Sequence, residues 1–385
     1  RFEPLRSDDF KLTLAGNDIR AGGTLEHPAK GVKVSDVTIV HDLDTGRGHA
    51  VLAVPGITFG DSFQPNELTR LTFGVVADVV GTVAGRGDIA WSPDGVTSTG
   101  TFRTADTDLA AAFGPVSGLA GEIRFTDLLG LVTAPGQVAT IGEVNPGIAV
   151  TDGVVRYRLI DGMRVQIEGG RWPLGGGEMV LEPTILDFAE DRERRMTFRV
   201  TGVDGGLFLQ QFDFDNLNAS GVFDGVLPMI FDANGGRIEG GRLQSRGSGN
   251  LSYVGDVTKE DVGFWGNLAF QALRSMDYRR LTIELDGPLA GEMLTAIRFA
   301  GVSQGEGTYS NFLIRRLAKL PLVFNVRIRA PFRQLIDSVQ NYYDPKRLIE
   351  RNLPALQAEQ RRREQGLPPA PLDTTIQPSE SETVP

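Results

Sequence analysis

Gly301-Val302-Ser303-Gln304-Gly305 has the form of a nucleophile elbow, in which a sharp strand-to-helix turn presents a serine to an acid and a histidine placed later in the chain. All three histidines, His27, His41 and His49, precede Ser303, so the required order fails. Asp44-Thr45-Gly46 matches one half of an aspartic-protease dyad, but two carboxylates must share a proton there and no second triplet exists. In the stretch HDLDTGRGH, His41, Asp42, Asp44 and His49 could be drawn as zinc or manganese ligands. The same residues between two alternating runs are first of all hairpin chemistry. Gly175-Gly176-Gly177 and Gly247-Ser248-Gly249 suggest phosphate loops, yet neither leads into Lys-Ser/Thr and a helix. They read as bulges or tight turns. No catalytic constellation emerges, and no metal or cofactor is expected.

The elements that would position such residues are strands. From Arg1 to about Ala330 the dominant signal is period-two alternation in short runs separated by Gly, Pro, Asn and Asp, which marks antiparallel strands and turns. Met163, Val165 and Ile167 fall on one face and Arg164, Gln166 and Glu168 on the other, after an Asp161-Gly162 hairpin signal. Met196, Phe198 and Val200 alternate with Thr197, Arg199 and Thr201; Leu281, Ile283 and Leu285 alternate with Thr282, Glu284 and Asp286. Ile123 and Phe125 alternate with Glu122, Arg124 and Thr126, and Val155 and Tyr157 repeat the pattern. These thirteen apolar residues are the candidate lining of a greasy face. At about 15 residues per strand and turn, the first 330 residues would give roughly 22 strands and a ladder of about 100 Å.

The fold class expected is mainly β: an elongated, mostly antiparallel curved sheet forming a hydrophobic groove, with a few short helices toward the C-terminus. Val262 to Met276, Asn311 to Leu320 and Phe332 to Tyr343 have the helical spacing. Three segments follow: residues 1–117, residues 118–343, and a charged helix with a Pro-, Ser- and Glu-rich tail over 344–385. Glycine, at 48 of 385 residues, points to a turn-rich β protein, and Gly-x-x-x-Gly recurs at Gly81, Gly221 and Gly287. The absence of cysteine removes disulfide, thiolate-metal and cysteine-nucleophile readings together. With 39 basic against 49 acidic residues, nucleic acid is not the expected partner. No run of about 18 apolar residues could span a bilayer. The chain opens on Arg1 and reads as a processed or excised piece.

The ordered segments Gly118 to Leu159, the Trp172-Pro173-Leu174-Gly175-Gly176-Gly177 turn, Gly221 to Tyr253, Ala272 to Val302 and Val323 to Gln340 resemble the C-terminal region of the YdbH family, relatives of TamB and AsmA in the bacterial envelope. Residues 1–117 share only its texture. The resemblance implies a non-enzymatic periplasmic conduit moving phospholipid between inner and outer membranes, with acyl chains as cargo. It also implies an inner-membrane anchor outside this chain. A small outer-membrane lipoprotein of the YnbE kind would join by strand addition at the last strand, where Phe324, Asn325, Val326, Arg327 and Ile328 are the candidates. Each acyl methylene left in water costs about 0.8 kcal/mol, so a 16-carbon chain costs on the order of 12 kcal/mol, and a continuous apolar trough removes that barrier. An ordinary β-sandwich alternates in the same way. The alternative function is therefore a structural or assembly factor for the outer membrane that carries no lipid.

Overall fold

The computed structural model describes residues 3–69, 72, 76–111, 114–145, 149–161, 163–188, 192–211, 217–232, 235–253, 276–289, 292–301, 303–304 and 324–331. The chain divides into two units, Arg1–Val339 and Gln340–Pro385, and all described residues belong to the first. The expected helices over 311–320 and 332–343 and the segment 344–385 lie outside the described residues, as does 262–275. Met276, the last residue of the first expected helix, instead opens a strand.

The strands are β1 (Lys11–Ala15), β2 (Asp18–Glu26), β3 (Lys33–Asp42), β4 (Arg47–Phe59), β5 (Val76–Ser92), β6 (Gly95–Thr104), β7 (Thr107–Ala111), β8 (Gly114–Ser117), β9 (Ala120–Asp127), β10 (Val132–Thr133), β11 (Gln137–Val144) and β12 (Val150–Ile160). They continue as β13 (Arg164–Leu174), β14 (Gly177–Leu181), β15 (Thr184–Asp187), β16 (Arg194–Asp204), β17 (Leu217–Ala219), β18 (Val222–Asp232), β19 (Gly235–Ser245) and β20 (Gly249–Tyr253). The last are β21 (Met276–Tyr278), β22 (Arg280–Pro288), β23 (Glu292–Ala300), β24 (Ser303–Gln304) and β25 (Phe324–Pro331). A 3-10 turn at Pro65–Glu67 and helix α1 (Gly205–Gln211) interrupt them.

Twenty-one of these strands form one sheet, and every pairing is antiparallel. Its path runs β1-β2-β3-β4-β5-β6-β9-β11-β12-β13-β14-β16-β18-β19-β22-β23-β25. The remaining four strands lie end to end with members of that path: β7 shares β5 with β6, β8 shares β11 with β9, β10 shares β9 with β11, and β15 shares β13 with β14. The ladder is therefore shorter than one step per strand would make it. At about 4.8 Å per step the path measures about 75 Å, against the 100 Å expected. Register shifts in β4–β5, β12–β13, β16–β18, β18–β19 and β19–β22 insert bulges, which bend the strands and curve the sheet.

A second, four-stranded sheet orders as β17-β20-β21-β24. Met276 and Tyr278 of β21 pack with Phe223, Leu281 and Phe299 of the large sheet, so the small sheet covers part of its apolar face. The Tyr278 hydroxyl donates to the Ser220 carbonyl at 2.6 Å, and burial pushes its pKa up to about 12. The largest core cluster runs from Ala111 and Val116 through Ile141, Val150 and Trp172 to Phe198, Leu227, Phe231 and Leu289.

Candidate functional site

The register converts alternation along each strand into rows across the sheet. One row joins Trp172, Met179, Val200, Gly225, Leu243, Ile283, Ile297 and Val326, crossing from β13 to β25. Beside it run Val155, Gly170, Leu181, Phe198 and Leu227. Near the N-terminal end Gly23, Val37, Leu52, Gly87, Gly100 and Phe125 form a third. The opposite face carries the charges. Arg171, Val180, Arg199, Val226, Arg242 and Glu284 are consecutive partners there, with ion pairs Arg171–Glu178, Arg199–Glu182 and Arg298–Glu284. Those pairs are solvent-exposed and add little stability.

The structure places the expected residues on this inner face in two groups. Ile167, Met196, Phe198, Val200 and Leu281 are buried. Ile123, Phe125, Val155, Tyr157, Val165, Ile283 and Leu285 are half-buried; Met163, expected to alternate with them, instead lies in the turn before β13 with φ 62°, which takes it out of the strand's alternation. Tyr157 sits opposite Ile167, and its burial raises the phenol pKa. Phe125 meets Phe102 edge to face at 6.0 Å. Thr282, expected on the wet face, is buried. Phe324, Asn325, Val326, Arg327 and Ile328 lie in β25, which pairs among the described residues only with β23.

Sequence reading missed what these residues sit on. An added Cβ at Gly153 would come within 2.0 Å of Trp172 Nε1, and one at Gly170 within 2.8 Å of the same ring. The indole lies flat on two glycines and meets Phe198 at 6.2 Å between ring centres. Gly225 beneath Leu243, Gly85 beneath Phe102 and Gly48 beneath Trp91 repeat the arrangement. Both leading residues of two expected Gly-x-x-x-Gly repeats, Gly81 and Gly221, carry positive φ, while Gly85 and Gly225 are mid-strand slots.

Exposure of the inner face changes along the ladder. Leu12 and Leu14 of β1 and Val96 beside the β5–β6 turn are 62%, 60% and 60% exposed, whereas Val37 and Val54 between them are 7% and 8% exposed, and Trp172 and Phe198 farther along are 3% and 4% exposed. The face is open at the edge strand β1 and at the tip of the β5–β6 hairpin, and closed over by its own side chains between them and through the middle.

The chemistry-bearing stretches take structural roles. Asp42 accepts from the backbone N–H groups of Asp44 (2.8 Å) and Thr45 (3.1 Å), closing the β3–β4 turn, and the Thr45 N–H holds its carboxyl below the usual range. His41 and His49 lie on opposite faces, since His41 pairs with Gly48 and His49 with the adjacent Val40. His41 Nδ1 accepts from Trp91 Nε1 at 3.1 Å. Among the described residues no group of three His, Asp or Glu side chains could hold a metal. Ser303 lies in β24, paired with Asp277, where an elbow would need a turn into a helix.

A protein-family model described as YdbH-like, intermembrane phospholipid transport protein YdbH, matches residues 1–354. No curated protein and no solved structure matches the chain.

Proposed function

The chain belongs to the YdbH-like family of intermembrane phospholipid transport proteins, and from that premise we propose that its curved sheet carries lipid by receiving acyl chains on the inner apolar face. Transport between two membranes sets the work in the periplasm. The family match covers the first 117 residues as well as the span from Gly118 to Gln340, and the ladder is continuous through both. The observation that carries the proposal is the set of apolar rows, one of them crossing eight strands from Trp172 to Val326. Charges lie mainly on the outer face, with the Asp127 carboxylate, bonded to Ser98, at the inner-face end of β9, so a hydrocarbon chain moving along the rows meets few ionised groups, and no step needs a reacting side chain. The small outer-membrane lipoprotein joining at β25 and the inner-membrane anchor outside this chain belong to the same proposal.

The closed middle of the face favours one competing reading, an assembly factor for the outer membrane whose apolar face is only a core. Native mass spectrometry of gently purified chain separates the two. The conduit reading expects adducts of phospholipid mass that survive purification. Repeated preparations free of lipid would leave the scaffold reading.

A further inference from the structure

Trp172 stands where the inner face closes, and its indole nitrogen is one of two buried side-chain atoms without a hydrogen-bond partner among the described residues; the other is His27 Nδ1. An indole N–H can only donate. No acceptor is in bonding position: Gly153 lies beneath it, and Ile141 and Phe198 belong to the same apolar cluster. A buried donor left unpaired is costly, and nearly all such groups in folded proteins find a partner. A second observation gives the donor a context. Trp172 is 3% exposed and heads the row that crosses to β25, so cargo moving along that row must lift the indole from its glycine slots or slide beside it.

A free hydrocarbon tail would displace the ring and still leave the N–H unpaired. A fatty-acyl ester brings a carbonyl at the head of each tail, an acceptor that travels with the hydrocarbon instead of with the charged headgroup and that an ether linkage lacks. We propose that Trp172 Nε1 donates to an ester carbonyl of the lipid, making the constriction a specificity point that passes ester-linked lipid more readily than ether-linked lipid of the same length. This rests on the conduit reading and deepens it. The glycines serve the same end: Gly153 and Gly170 leave space for the flat ring, so the constriction opens by movement of one side chain without bending the sheet.

The test uses the whole chain with two probes, a diester phosphatidylcholine and its diether analogue of equal chain length. The chain has three tryptophans, so indole ¹⁵N labelling gives few N–H signals, and Trp172→Phe identifies the one in question. Both lipids are expected to bind, with only the diester moving the Trp172 N–H proton downfield. In the one-lipid complex resolved by native mass spectrometry, wild-type protein is expected to prefer diester over diether about fivefold, the worth of one neutral hydrogen bond. Trp172→Phe should bring that ratio to about one, read as a ratio within each sample so that any change in total lipid bound cancels. Binding of both lipids with no diester-specific shift, as when an internal water already occupies the donor, overturns the inference and leaves the conduit reading standing. Binding of neither overturns both. Should Trp172→Phe fail to fold, the diester and diether spectra of the wild-type chain decide alone.

Discussion

Single residues explain why glycine is so abundant. Composition was read as turns, and Gly46, Gly175 and Gly176, with φ between 49° and 75°, bear that out. Others, such as Gly153, Gly170 and Gly225, sit inside strands because a large side chain from the same or a neighbouring strand lies on them. Alternation within one strand cannot show this, since the slot and its occupant meet only once the register is fixed. Gly153→Ala, which would set a methyl 2.0 Å from Trp172 Nε1, should destabilise by about 1–3 kcal/mol, and Gly247→Ala, with open space around it, by less than about 0.5 kcal/mol. Paired thermal melts check both. Phe198 makes the same point from the other side. Its spacing suggested a residue lining a greasy face, yet it is 4% exposed between Leu181 and Leu227. Phe198→Arg should therefore lower the melting temperature strongly in lipid-free protein, because the new charge has no partner there. A wild-type melt would show that the middle opens readily.

At the scale of elements, long strands were legible and short ones were not. β13, β16 and β22 are 11, 11 and 9 residues long and each holds an alternating run of at least five residues, enough for period two to stand out. β21 and β24 have three and two residues, too few for any periodicity, and the small sheet they form could not be foreseen. That sheet has its own pH signature. Tyr278 is neutral and hydrogen-bonded in the fold, with its pKa raised to about 12 from an unfolded value near 10. A raised phenol pKa means that its contribution is whole below about pH 10 and is lost as pH climbs toward about 12. Stability measured by denaturant between about pH 9 and 12 should fall, and Tyr278→Phe should flatten that fall while removing the late step in tyrosinate absorbance. An unchanged slope in the variant would place the alkaline loss elsewhere.

At the scale of the molecule, the sheet has two ends. Among the described residues β1 pairs only with β2 and β25 only with β23, so each presents one edge without a strand beside it. An open edge either aggregates or receives another strand. Successive backbone N–H groups of an antiparallel strand point to opposite sides, so of Val326 and Arg327 one donates toward β23 and the other toward the open edge. Val326→Pro and Arg327→Pro should thus behave differently. The outward position loses partner capture by crosslinkers at Asn325 with little change in melting, and the inward one loses stability. Equal capture by both variants would mean that the partner docks elsewhere. The sequence made the two-faced ladder legible, but strands lying end to end shortened it, because β5, β11 and β13 are each long enough to hold two neighbours.

The strand order has a consequence for how such a molecule comes into being. Position along the chain tracks position along the ladder, from β1 at one end to β25 at the other, and most partners are close in sequence. Low contact order of this kind favours fast folding despite the all-β content. Each strand can add to the last as the chain emerges from a translocation channel, with no wait for a distant partner. It also makes length an evolvable variable: one more hairpin anywhere along the path adds about 10 Å of span and leaves every other pairing as it was.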